Sequence, residues 1–171
     1  GSGERDSVLD SCAAFLNDGR AHFTLATKSA LEDEVFWVPS SVMLDYDKDG
    51  ILDFWPGTVG QWAYGPALTT RPHLFKGTGD GTFTDVSAQL GLPSTPTAGG
   101  QLRINFGVTS CDVDDDGWRD VLIGNYYVAP AYFYRFDGTK FTEVGAQTGV
   151  AGRGGHTNTI TCGDLDDDGA V

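Results

Sequence analysis

The chain has 171 residues, of which 40% are hydrophobic, so it is long enough to form a domain with a buried core. Its formal net charge of -13 at pH 7 would repel nucleic acid or an anionic membrane surface if it were spread evenly over the chain, and no nucleic-acid partner is expected. No apolar run approaches the ~20 residues that a membrane-spanning helix needs. The 24 glycines and the frequent turn signals favour an all-β fold.

Residues 1–19 form an N-terminal segment in which the sequence predicts one short helix. Ser7 could cap a helix over residues 7–18, because the apolar side chains at positions 8, 9, 12, 15 and 16 would share one face. Asp18-Gly19 would end this helix. After Gly19 a longer repeated unit begins.

The segment from Asp45 to Asp53 has the spacing of a cation-binding loop. Aspartates stand at its first, third, fifth and ninth positions, with a glycine at the sixth. The short carboxylates can point inward from a tight turn, the glycine permits the positive φ that reverses the chain, and the seventh residue can offer its backbone carbonyl. Ca²⁺ takes six to eight oxygen ligands in flexible geometry and is the natural ion for such a loop.

The same spacing returns in full at residues 112–120 and returns at 164–171 without its ninth position. A single acidic, glycine-bearing segment could be a solvated turn, but three copies in register argue for metal binding. We therefore predict up to three Ca²⁺ sites. Their ligands would be Asp45, Asp47, Asp49, Ile51 and Asp53 in the first loop, Asp112, Asp114, Asp116, Trp118 and Asp120 in the second, and Asp164, Asp166, Asp168 and Ala170 in the third.

An EF-hand is excluded by the residues around these loops. It needs a glutamate at the twelfth position and a helix on each side. The twelfth positions hold Pro56 and Ile123, and the flanking residues have β-strand character. Each loop is therefore predicted to join two strands. The loops contain thirteen of the 24 acidic residues, and three bound Ca²⁺ ions would change the formal net charge from -13 to -7.

A longer repeat contains these loops. A Phe-Thr pair at residues 23, 83 and 141 recurs at spacings of 60 and 58 residues. Each pair is followed by an acidic loop, and after each complete loop come a hydrophobic run and an aromatic strand that turns through glycine into the next pair. One repeat supplies about four antiparallel strands, as in a propeller blade. The repeats span about 20–80, 81–138 and 139–171, the last one incomplete.

No set of residues predicts catalysis. His22, His73 and His156 share no spacing with one another or with a nucleophile, so we interpret them as structural or surface residues. Motifs of serine hydrolases, zinc proteases and phosphate-binding loops are absent from the sequence. The aromatic insertion at residues 56–72, with Trp62 and Tyr64, could bind a sugar or a protein, or could pack over a neighbouring blade.

Three cysteines leave the disulfide pattern open. Cys111 stands one residue before its loop and Cys162 two residues before its own. On equivalent strands the two side chains would point to opposite faces, so we do not expect them to pair. Cys12 could pair with either one, or all three could be free thiols.

The sequence resembles the FG-GAP or VCBS-type repeats of integrin α-subunit propellers, and especially secreted proteins related to cartilage acidic protein. Phe106-Gly107-Val108, the loop at 112–120 and the strand at 121–125 are similar to the strand, calcium loop and following strand of that repeat. Residues 83–92 resemble the outer-strand signature of the cartilage-acidic-protein group. The resemblance covers roughly residues 20–171.

This resemblance implies a calcium-braced propeller of about seven blades, usually extracellular, whose loops recognise partners. The chain departs from the family pattern at Ser41-Val42 and Thr159-Ile160, where Phe-Gly would stand. It also holds only about two and a half repeats, whereas a propeller closes with at least four blades. We therefore expect these residues to be a portion of a longer chain.

Three functions are compatible with these observations. The first is a non-catalytic, extracellular calcium-binding module that serves as a scaffold or as a recognition or adhesion surface for a protein or glycan. The second is a self-assembling subunit of an extracellular filament or array, since an open arc of blades leaves strand edges unpaired. The third is an accessory propeller of a larger secreted enzyme. Lys48 and Arg119 occupy non-ligand loop positions and are expected to tolerate substitution.

Overall fold

The computed structural model describes residues 13–26, 30–32, 38–58, 71–94, 104–126, 129–152 and 155–171. Within these ranges the regular structure is β-strand, apart from a single 3₁₀ turn at Ala30–Glu32 and the one-turn helix α1 at Gly145–Thr148. The predicted all-β fold is confirmed. None of the described helices is long and apolar enough to span a membrane.

The strands form one hairpin and two four-stranded sheets, all antiparallel. The N-terminal hairpin contains β1 and β2, the first blade has the order β3-β4-β5-β6, and the second blade has the order β7-β8-β9-β10. Each blade is a meander in which neighbours in sequence are neighbours in space. The strands are β1 (Phe15–Asn17), β2 (Phe23–Leu25), β3 (Ser41–Leu44), β4 (Asp53–Pro56), β5 (Phe75–Gly77), β6 (Phe83–Asp85), β7 (Ile104–Cys111), β8 (Asp120–Tyr126), β9 (Tyr132–Phe136) and β10 (Phe141–Glu143).

The blades are offset from the sequence repeats. Each Phe-Thr pair that opens a repeat lies at the start of an outer strand, at Phe23 in β2, Phe83 in β6 and Phe141 in β10. Each blade therefore begins with the strand before an acidic loop and ends with the Phe-Thr strand of the next repeat. The N-terminal hairpin has the same place in the pattern as the outer hairpins β5-β6 and β9-β10.

The main hydrophobic core lies between the two blades. Trp55 of the first blade is fully buried and packs against Tyr134 and Phe141 of the second, with ring centroids 5.7 and 5.1 Å apart. Tyr46 meets Phe136 edge to face at 5.7 Å. Each large side chain buried in this way contributes about 1.5–3 kcal/mol relative to exposure. The two sheets thus pack face to face, as neighbouring propeller blades do.

The other face of the second blade is covered by the segment at residues 155–162. Strand β8 alternates, so that Val121 and Ile123 enter the interblade core while Leu122 belongs to a smaller cluster with Ile160 and the two cysteines. Gly107 and Gly124 are paired across β7 and β8. A Cβ at Gly107 would lie 2.9 Å from the backbone of Thr159 and Ile160. The glycine pair therefore allows this segment to approach the sheet closely.

The helix predicted over residues 7–18 is wrong where the structure describes it. Phe15–Asn17 is a strand, paired with β2 in the register Phe15↔Leu25. The predicted helix end at Asp18-Gly19 is a hairpin turn, in which Asp18 Oδ1 accepts a hydrogen bond from the Arg20 amide at 2.8 Å. Residues 7–12 of the predicted helix, including Cys12, lie outside the described residues.

The expectation that Cys111 and Cys162 do not pair is also wrong. A disulfide joins them, with their Cα atoms 6.6 Å apart and a sequence separation of 51. The expectation assumed that both cysteines lie on equivalent strands. Cys111 ends β7, but Cys162 lies in a segment outside the strands, so strand alternation does not decide where its side chain points.

Replacing Gly107 by alanine should destabilise the fold, because the added Cβ would press on the backbone of Thr159 and Ile160. We expect a loss of about 1–3 kcal/mol, the usual cost of overpacking. This loss corresponds to a melting temperature lower by a few degrees, measured by circular dichroism. Gly163→Ala is the matched control, since its Cβ would meet no atom within 4 Å. Equal melting temperatures for the two variants would contradict the close approach.

Candidate metal centre

The two complete acidic loops lie at equivalent places in the two blades. Asp45 directly follows β3 and Asp53 opens β4, while Asp112 directly follows β7 and Asp120 opens β8. The prediction that the loop joins two strands is confirmed for both. The third loop, at residues 164–171, follows the segment that covers the second blade.

The first aspartate of each loop organises the turn. Asp45 Oδ1 accepts a hydrogen bond from the Asp49 amide and Oδ2 accepts one from the Gly50 amide, both at 3.0 Å. Asp112 repeats these bonds to residues 116 and 117 at 3.1 and 2.8 Å. Asp164 repeats them to residues 168 and 169 at 3.3 and 2.8 Å. The common spacing in sequence therefore produces a common loop geometry.

Two positions of each loop have left-handed backbone. The sixth-position glycines have φ between 83° and 91°, as the spacing predicts. The fourth positions are also left-handed, with φ of 60° at Lys48, 56° at Asp115 and 62° at Asp167. Sequence reasoning did not predict the positive φ at the fourth position. Aspartate there is a usable signal, because Asp tolerates the left-handed region better than most residues.

This backbone gathers the first, third and fifth carboxylates of every loop. In each of the three groups, one carboxylate oxygen from each aspartate lies within 4.8 Å of the others. The groups are Asp45, Asp47 and Asp49, then Asp112, Asp114 and Asp116, and finally Asp164, Asp166 and Asp168. Three acidic clusters that could hold a metal ion are thus present in the described part of the chain.

The donor atoms fit a hard cation. Every side-chain donor in these clusters is a carboxylate oxygen, and hard cations such as Ca²⁺ prefer oxygen over nitrogen or sulfur. Asp47 Oδ1 is a buried oxygen without a hydrogen-bond partner among the described residues. A buried charged oxygen without a partner is costly, and a cation at the cluster would satisfy it.

The seventh residues, Ile51, Trp118 and Ala170, are held against the clusters through their amides. Each donates a hydrogen bond to Oδ1 of the fifth aspartate, at 2.8, 2.8 and 2.9 Å respectively. This bond fixes the backbone beside the cluster. Their backbone carbonyls as metal ligands remain a prediction.

The ninth aspartates, Asp53 and Asp120, connect the loop to the third strand of the blade. Both are fully buried and lie outside the three-carboxylate groups. Asp53 accepts hydrogen bonds from the amides of Tyr46 and Gly77 at 3.0 and 2.9 Å. Asp120 accepts them from Val113 and Phe136 at 3.2 and 2.9 Å.

Burial raises the pKa of Asp53 and of Asp120 above the usual value for aspartate, against the lowering effect of these backbone hydrogen bonds. The charged carboxylates therefore carry a desolvation cost in the folded protein. Metal coordination by the ninth position remains a prediction.

A basic side chain from the third strand contacts each complete loop, a feature that sequence reasoning missed. Lys76 of β5 pairs with Asp47 and with Asp49, the latter at 2.7 Å. Arg135 of β9 pairs with Asp114, and its Nη2 lies 3.6 Å from Asp116. Hydrogen bonds to Asp47 first, and then to Asp49, raise the pKa of Lys76 above its usual value. Lys76 lies 27 residues after Asp49 in the sequence, so no local motif predicts the contact between them.

Lys48 and Arg119, the two basic residues at non-ligand loop positions, both make side-chain contacts. The Lys48 ammonium lies 3.8 Å from the centroid of the Trp118 ring and so connects the first loop to the second. Arg119 donates a hydrogen bond to the Ser110 carbonyl at 3.3 Å. Their tolerance of substitution remains a prediction.

Two of the histidines pack against aromatic rings. His73 is buried and stacks on Phe75 at 5.6 Å, and burial, assisted by the Arg71 charge, lowers its pKa to about 4. His156 meets Tyr126 edge to face at 4.7 Å. Of the insertion at residues 56–72, Trp62 and Tyr64 lie outside the described residues. Arg71, near the end of this insertion, forms an ion pair with Asp85 at 3.0 Å.

Comparison with known proteins agrees with the repeat interpretation. Residues 112–171 match a family model described as FG-GAP-like repeat. The match starts at the first aspartate of the second loop and includes the third loop, so it covers the second blade from β8 onward. A search of curated proteins found no match.

Replacing Asp120 by asparagine should destabilise the second blade even when calcium is chelated. The amide can accept only one of the two backbone hydrogen bonds, and a buried donor is left unpaired. We expect the free energy of unfolding to fall by about 1–3 kcal/mol, measured by urea titration in EGTA. Asp115→Asn is the control, since Asp115 is exposed and asparagine tolerates its positive φ. Equal stability of both variants would show that the buried carboxylate does not hold the loop.

Proposed function

We propose that this chain is a calcium-binding β-propeller module that acts outside the cell as a non-catalytic scaffold or as a recognition or adhesion surface. The observation that carries the proposal is the recurrence of one loop geometry, with three carboxylates gathered within 4.8 Å, at three places along the chain. The FG-GAP-like match over residues 112–171 supports the assignment to a repeat of this kind.

Calcium is the ion that the donor set favours. Three carboxylates, a backbone carbonyl from the seventh residue and the ninth carboxylate would supply up to five protein ligands, and water would complete the shell. In the first loop these residues are Asp45, Asp47, Asp49, Ile51 and Asp53. When bound, the ion supplies charge neutralisation: it offsets the mutual repulsion of carboxylates that the turn holds together.

The role of such an ion would be structural. Each complete loop joins the first two strands of its blade, and its ninth aspartate is hydrogen-bonded to the third strand. An ion in the loop would therefore brace three of the four strands. Because the blades pack through Trp55, Tyr46 and Phe136, firm loops would also preserve the interblade core.

Two observations support an extracellular location. Disulfides persist in oxidising compartments, and Cys111 and Cys162 are paired. Exposed clusters of this type, such as Asp164, Asp166 and Asp168, suit the millimolar calcium outside cells. The partner would be a protein or a glycan that contacts the loops at the blade edges, a role that loops on rigid scaffolds commonly have.

Calcium should raise the melting temperature, because the ion binds the folded loops and not the unfolded chain. At a calcium concentration 100 times the Kd, each occupied site adds about 2.7 kcal/mol of stability. Asp114→Ala should abolish the contribution of the second loop, and Asp47→Ala that of the first. Differential scanning fluorimetry with calcium and with EGTA measures the shift, and isothermal titration calorimetry counts the sites.

Asp167→Asn is a suitable control, since this exposed fourth-position residue lies outside the predicted ligand set. It should retain the full calcium-dependent shift. An unchanged melting temperature of the wild-type protein between EGTA and ~5 mM calcium would refute the proposal, because this concentration exceeds the weakest Kd of extracellular calcium modules, about 1 mM.

Self-association is a second candidate function, favoured by the N-terminal hairpin. Phe15 and Phe23 are 60% and 64% exposed, and Leu25 is also exposed. An apolar surface of this kind on a two-stranded sheet can pair with another copy. Phe15→Ser with Phe23→Ser should then convert oligomers into monomers in analytical ultracentrifugation. A monomeric wild-type protein at about 100 μM would rule out the idea, since specific self-association is normally stronger than this.

A further inference from the structure

Lys76 and Arg135 occupy equivalent positions in the two blades. The Gly77 amide donates to Asp53, and the Phe136 amide donates to Asp120, at 2.9 Å in both cases. These bonds set the same register between the third strand and the loop. The residue just before the donor, Lys76 in β5 and Arg135 in β9, is therefore directed to the same place in each blade.

Both cations contact the third and fifth carboxylates of their loop. Lys76 Nζ pairs with Asp47 and lies 2.7 Å from Asp49 Oδ2. Arg135 Nη2 pairs with Asp114 and lies 3.6 Å from Asp116 Oδ2. The recurrence in two blades shows a property of the repeat rather than an isolated surface contact.

The cations use the oxygens that the loop backbone leaves free. In the fifth aspartates, Asp49 and Asp116, Oδ1 accepts the amide of the seventh residue. The contacts of Lys76 and Arg135 are to Oδ2 of the same residues. The aspartates that carry these oxygens belong to the clusters that would coordinate a metal ion. A basic side chain and a divalent ion would thus require the same carboxylates.

We propose that Lys76 and Arg135 are internal counter-ions that compete with the metal: each neutralises its loop when calcium is absent and must leave the third and fifth carboxylates when calcium binds. This inference rests on the proposed calcium binding. A cation with one charge and an ion with two, both held by the same pair of carboxylates, would repel each other strongly at a separation of a few Å. The side chains are 33% and 49% exposed, so each can swing into solvent.

The competition has two opposite consequences. It stabilises the metal-free loop, because the clustered carboxylates gain a partner. It also weakens calcium binding, because the ion must displace that partner. Lys76 and Arg135 would therefore set the calcium concentration at which each blade becomes rigid, so that neighbouring blades with identical acidic spacing can differ in affinity.

Lys76→Met tests the first blade. Titration calorimetry is performed on the full chain carrying Asp114→Ala and Asp166→Ala, so that the first loop alone retains its three carboxylates. We expect Lys76→Met to lower the calcium Kd about two- to fivefold, the range set by a partly exposed ion pair. Without calcium, in EGTA, the same substitution should lower the melting temperature, and at saturating calcium the decrease should be smaller.

Matched variants separate this effect from a change in net charge. Lys76→Arg keeps the cation and should leave the Kd within about twofold of the parent. Arg20→Met removes one positive charge from the exposed hairpin turn and should not change the Kd measurably. Arg135→Met, in a chain carrying Asp47→Ala and Asp166→Ala, repeats the test independently for the second blade should Lys76→Met fold poorly.

The outcomes distinguish this inference from the proposed function. Wild-type protein that binds no calcium would refute the proposed function. Calcium binding with a Kd that Lys76→Met and Arg135→Met leave unchanged or weaken would overturn the counter-ion inference alone. A tighter Kd combined with a lower melting temperature in EGTA is the result that supports it.

Discussion

The arrangement of the two blades depends on one electrostatic constraint: carboxylates crowded into the turn between the first two strands. A turn with φ near 60° at its fourth residue and above 80° at its sixth brings three aspartates within 4.8 Å of one another. Like charges at such distances repel unless a cation lies among them. The turn that joins the first two strands of each blade is therefore also a site of like-charge repulsion.

The constraint extends beyond the loop through the ninth aspartate. Asp53 and Asp120 are buried and accept backbone hydrogen bonds from both the loop and the third strand. The ninth aspartate therefore also positions β5 or β9, the strands that contribute Phe75, Tyr134 and Phe136 to the buried interior. The acidic loop and the hydrophobic core are therefore connected through the hydrogen bonds of the ninth aspartate.

The local features were predictable from the sequence, whereas contacts between distant segments were not. The spacing of the aspartates predicted the clusters because a nine-residue turn positions its own side chains. The disulfide of Cys111 with Cys162 and the contact of Lys76 with Asp49 join segments 51 and 27 residues apart, and no periodicity encodes such pairs. The helix predicted over 7–18 failed at Phe15–Asn17 because a short apolar run does not distinguish a helix from a strand, and pairing with β2 decided the outcome.

The most direct test of cation binding is a crystal structure of the protein grown with calcium, with anomalous difference density recorded at a long X-ray wavelength. We expect a peak among Asp45, Asp47 and Asp49, and another among Asp112, Asp114 and Asp116, with the third loop occupied in the same way. Loops that show no anomalous peak, with Lys76 and Arg135 still paired to their carboxylates at millimolar calcium, would contradict it.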